Sequence, residues 1–130
     1  MSYKQHAETT LSTIRRLKDE LAWAEESIER NANANVKDIE EKGNAMADMH
    51  RAIDGALDEF EMAGLAYVSG ICDIEMLYDA LGPRIEKFYS QQQVHNINFK
   101  RGVPETLAEK PMHKHSKALL AALHLSLIHI

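Results

Sequence analysis

The run Met46-Ala47-Asp48-Met49-His50-Arg51-Ala52-Ile53-Asp54-Gly55-Ala56-Leu57-Asp58-Glu59-Phe60-Glu61-Met62-Ala63-Gly64-Leu65-Ala66-Tyr67 decides the fold. Within it Met46, Met49, Ile53, Leu57, Phe60, Gly64 and Tyr67 advance by three or four positions, which is the period of one helix face and not the alternation of a strand. The spacing predicts a long helix from about Val36 to Ser69. A methionine and aromatic stripe can line a ligand, but at this spacing it reads as core. Gly64 interrupts the stripe at a cost of roughly 1 kcal/mol in helix propensity relative to Ala. Its place is explained if a neighbouring helix comes close there.

Upstream, Leu11, Ile14, Leu17, Leu21, Ala24 and Ile28 repeat the same period and predict a helix from about Ser2 to Arg30, with Asp19, Glu20, Glu26, Glu29 and Arg30 on its other face. Asn31-Ala32-Asn33-Ala34-Asn35 breaks the pattern, because asparagine side chains compete for backbone hydrogen bonds. Downstream, Gly70 reads as the left-handed residue that ends the second helix, and Asp73 as the N-cap of a third, with Glu75 in its first turn. Cys72 precedes that cap and is expected to pack on Leu77 as a hydrophobic staple, a structural role. Gly82-Pro83 is expected to end or kink the third helix, after which Ile85, Phe88 and Tyr89 continue an apolar face. Past Gln91-Gln92-Gln93 the pattern decays. Pro104 and Pro111 punctuate a tail with a short helix expected at Ser116 to Leu123.

The expected fold class is therefore all-α: long amphipathic helices forming a hairpin or small bundle with a weakly ordered C-terminal tail. Residues 1–95 are assigned to the helical domain and 96–124 to a basic, histidine-containing tail. The last six residues, Leu125-Ser126-Leu127-Ile128-His129-Ile130, resemble the translated end of a sequencing-library adapter, so 125–130 are set apart as an artefactual extension of a reading frame of metagenomic origin.

With 130 residues, 45% of them hydrophobic, the chain suffices for one small domain. It contains no run of eighteen apolar residues and opens on polar sequence, so neither a membrane span nor a signal peptide is expected. One cysteine gives no disulfide framework, and a cytoplasmic location is the expectation. Charge is uneven. Residues 1–82 carry eight Lys/Arg against seventeen Asp/Glu, a net of −9, whereas 83–130 carry seven against three, a net of +4, with five of the seven histidines. Lys100, Arg101, Lys110, Lys114 and Lys117 are too dilute for a polybasic nucleic-acid site, so the tail is read as lying against the acidic body.

The segment from Leu57 to Leu77, with Phe60-Glu61-Met62-Ala63, Gly70 and Asp73, resembles the core of an uncharacterised bacterial and phage helical family, the domain of unknown function numbered 4760. Gly82, Ile85 and Phe88-Tyr89 extend the resemblance, which covers about residues 45–90. Two departures stand out: many members carry an N-terminal membrane helix, absent here, and a Pro-containing apolar turn with an Arg is replaced by Gln91 to Arg101. The resemblance implies an all-helical module and no activity.

No GxxxxGK[ST], GxGxxG, GxSxG or HExxH pattern is present, so phosphate cradles, nucleophile elbows and metalloprotease helices lack their starting residues. Glu25-Glu26, Glu29, Glu40-Glu41 and Asp58-Glu59 bring to mind the carboxylate helices of Mg²⁺-dependent nucleotide hydrolases, but their spacing does not converge. No catalytic residue and no cofactor is assigned. His113 and His115, with His95 or His124, are weak metal candidates, since imidazole suits Zn²⁺ or Ni²⁺. Glu61, one position off the stripe, is expected half-buried and paired with Arg84 or Arg51, an ion pair between helices. Glu61, Gly70, Asp73, Gly82 and Pro83 are thus structural candidates. The leading expectation is a non-enzymatic interaction module whose partner is a second copy or another helical protein. Leu11, Ile14, Leu17, Leu21 and Ile28 would form the interface, across which helices 5–30 of two copies pack, and Trp23 lies off the stripe where a second surface could cover it. The alternatives are a Mg²⁺ nucleotide hydrolase and a phage nucleic-acid-binding accessory protein.

Overall fold

The computed structural model describes residues 3–32, 38–91 and 111–123. Among them the fold is all-α, with α1 (Tyr3–Ala32), α2 (Ile39–Val68), α3 (Ile74–Ser90) and α4 (Pro111–Ala122) and no strand. The long helices α1 and α2 form an antiparallel hairpin, α3 packs against α1, and α4 lies on α2. No helix among the described residues is long and apolar enough to cross a membrane.

The α1 stripe runs inward through Leu17, Leu21, Ala24 and Ile28, all buried. In the first half of the helix the buried line is formed by Thr10 and Thr13 instead of Leu11, which is 49% exposed. Thr10 lies seven residues before Leu17, almost two full turns, and so falls on the same line. Its burial is affordable because its hydroxyl donates to the His6 carbonyl at 2.9 Å and accepts the Asp73 backbone N–H at 2.9 Å. That pair of bonds ties the turn between α2 and α3 to α1.

In α2 the stripe places Ile53, Leu57 and Phe60 in the core and buries Gly64. Burying side chains of this size is worth roughly 1.5–3 kcal/mol each. Asp38 caps the helix by accepting from Glu40 N at 3.0 Å. The expected start at Val36 lies outside the described residues. At the other end Gly70 has φ +77°, Gly70 N donates to Tyr67 O, and Ile71 N donates to Ala66 O, the two bonds of a Schellman motif. Asp73 then accepts from Glu75 N and Met76 N and opens α3. Cys72 and Leu77 are both buried in the same core as the flanking residues of that cap.

Gly82-Pro83 does not end the third helix: α3 runs unbroken from Ile74 to Ser90 with Pro83 inside it. The reason is the balance of faces. Pro83 and Asp79, whose carbonyl loses its partner, lie on the exposed side, where that carbonyl is open to solvent rather than buried. The opposite side buries Leu81, Ile85, Phe88 and Tyr89, and Tyr89 meets both Phe60 and Phe88 edge-on at 5.2 Å between ring centroids. Gly82 is buried because the Tyr78 ring lies over it, so close that a Cβ would come within 3.0 Å of the ring.

The expected tail needs correction where it is described. The short helix expected at Ser116 begins at Pro111, a residue suited to a first helical position, and Leu119 and Leu123 enter the same buried core as the α1, α2 and α3 residues. Residues 111–123 therefore belong to the helical body, not to a separate tail. Residues 92–110 and 124–130, with the expected adapter-like extension, lie outside the described residues.

Candidate functional site

The seat of α4 on α2 is the most specific polar arrangement in the fold. Glu61 projects from α2 one residue past Phe60, and both of its carboxylate oxygens are occupied by α4. Oε1 accepts Ser116 N at 2.7 Å and Ser116 Oγ at 3.1 Å. Oε2 accepts His115 N at 3.3 Å and lies 3.0 Å from His115 Nδ1. An ionised carboxylate only accepts, so it selects the imidazole form with the proton on Nδ1. One turn along, Gly64 meets the same residues: a Cβ there would overlap the His115 carbonyl and crowd Ser116 N. Glycine is required because the α4 backbone occupies that space.

This arrangement corrects the expected pairing of Glu61. Arg51 is exposed on α2, and Arg84 lies on α3, where its charge acts on Glu25. The carboxylate does join two helices, but its donors are backbone amides, a hydroxyl and an imidazole, not a guanidinium. The same contacts bear on the metal candidates. His115 is engaged with Glu61, the side chain of His113 lies outside the described residues, and no group of three His, Cys, Asp or Glu among the described residues could hold a metal ion.

The α1 interface is also corrected. Leu17, Leu21 and Ile28 are buried in the core of their own chain and Ile14 packs against it, which leaves Leu11 alone of the five exposed. One chain already covers the stripe because α2 and α3 both pack on α1. Helices 5–30 therefore cannot pair across a symmetry axis through these residues. Trp23 does remain 40% exposed, beside Gly55 of α2.

Three other carboxylates serve the helix seams. Asp48 Oδ2 accepts from Ser27 Oγ at 2.7 Å, Arg30 Nη2 at 2.7 Å and Asn31 Nδ2 at 2.8 Å, and these bonds, that from Ser27 foremost, hold its pKa down to about 2. Glu59 pairs with Arg16 at 2.9 Å and Glu25 with Lys87 at 2.7 Å. The Lys87 bond lowers the pKa of Glu25 and that of Glu25 raises Lys87. Glu20 is the exception: its Oε2 is enclosed against Gly55 with no hydrogen-bond partner, and burial, then the charges of Glu59 and Asp19, push its pKa up. Glu26, Glu29, Glu40 and Glu41 are exposed. An open polar groove of about 510 Å³ is lined by Gln5, Glu8, Thr9, Ser12 and Arg16, whose guanidinium is engaged with Glu59.

Sequence reasoning assigns no role to Thr10, Ser27 or Asp48, places Glu20 on the charged outer face, and reads Asn31 as a helix breaker, whereas Glu20 Oε2 is enclosed and Asn31 lies within α1 and donates to Asp48. For Thr10 the signal was available, in its position two turns before Leu17. The partners of Asp48 and the enclosure of Glu20 depend on how α1 and α2 align, which no local pattern encodes.

No family model, no curated protein and no solved structure matches the chain.

Proposed function

We propose that the chain is a cytoplasmic helical interaction module, of bacterial or phage origin, that acts by presenting helix faces to a second copy of itself. One observation carries this reading: Met62, Leu65 and Val68, on the last two turns of α2, are 58%, 42% and 54% exposed. Three large apolar side chains in so short a stretch form a patch of the kind that marks an interaction surface. A second copy suits it because a two-fold axis covers the same patch on both chains at once. The pressure for additional burial comes from size, since area-minus-entropy accounting for a small helical domain leaves little net stability. The family resemblance supports a helical module and adds no activity. Sedimentation of the parent protein and of Leu65→Asp across micromolar concentrations tests the reading. The expected result is a concentration-dependent dimer that the charged variant loses; a parent protein that stays monomeric, or a variant that still dimerises, rejects it.

A further inference from the structure

No further inference is drawn: the strongest candidate, the acidic cluster of Asp19, Glu20 and Glu59 on the α1–α2 seam beside the exposed Trp23 ring, carries nothing, because Glu20 is only partly buried, Glu59 is already paired with Arg16, and no second feature of the seam points to a ligand.

Discussion

Two of the carboxylates that fasten α2 to its neighbours, Asp48 and Glu61, make attachments that are built differently. At the end of the hairpin, Asp48 receives three side chains from α1, one of them the exposed Arg30. On the opposite flank Glu61 receives two backbone amides of α4 beside a hydroxyl and an imidazole, and a glycine contact fixes that backbone in place. Side-chain donors can rotate to follow a displaced acceptor; backbone donors cannot. The clasp at Asp48 should therefore tolerate change, and the seat at Glu61 and Gly64 should not.

The strongest challenge to that contrast is Gly64→Val. A branched side chain would enter space held by the His115 carbonyl, and backbone cannot move aside as a side-chain end can. Overpacking costs typically about 1–3 kcal/mol, and undocking of α4 also uncovers Leu119 and Leu123. Denaturation with urea should show a loss at the upper end of that range. An unchanged midpoint would mean that α4 does not sit on Gly64.

Glu61→Ala comes next. It leaves the His115 and Ser116 donors without their acceptor, a penalty of about 1–3 kcal/mol when such groups stay buried. A cost no larger than that of an exposed substitution would show that water replaces the carboxylate and that the seat is as adaptable as the clasp.

How far the seat was legible in the sequence follows from the range of each signal. Gly64 announces a close approach because a glycine on an apolar stripe has few other reasons to be there. Gly70 and Asp73 are legible because caps depend on residues within one turn. Nothing local says which helix approaches Gly64, and the arginines suggested for Glu61 were reasonable by charge alone. Its true donors lie more than fifty positions away, on a helix whose polar first turns read as tail. Pro83 misleads for a related reason: its local rule is sound, but the burial of Ile85, Phe88 and Tyr89 outweighs it. Leu11 and Thr10 mislead in opposite senses, since residue type favours burying the leucine whereas helical phase, seven residues before Leu17, buries the threonine.

The clasp makes a prediction about pH. The folded pKa of Asp48, about 2, lies below its unfolded value of 3.8, so its contribution is present above pH 3.8 and is lost as pH falls through about 2. Asp48→Asn should flatten this acid limb while leaving the neutral fold intact, as measured by thermal melts between pH 2 and 5. A variant that keeps the full acid limb would assign that limb to other carboxylates, Glu25 first among them.

The smallest effect is expected at Glu20, between the two attachments, and its sign is reversed. Its carboxyl is enclosed between α1 and α2, against Gly55, and feels the charges of Glu59 and Asp19 with no donor for Oε2. The folded pKa lies above the unfolded 4.5, so the folded protein holds this proton more tightly. The penalty is absent below pH 4.5 and grows as pH rises through the folded value, the opposite of the Asp48 limb. Glu20→Met keeps the chain length, removes the charge and the unpaired oxygen, and places an apolar thioether beside Trp23. Partial exposure screens the neighbouring charges, so the gain at neutral pH should be on the order of a few tenths of a kcal/mol. Denaturant melts of parent and variant at pH 4 and pH 7 separate the causes: convergence at pH 4 with the variant ahead at pH 7 identifies the charge. A variant that is less stable at both values would show instead that Glu20 has a donor in solution and belongs with Asp48 among the satisfied carboxylates of the seam.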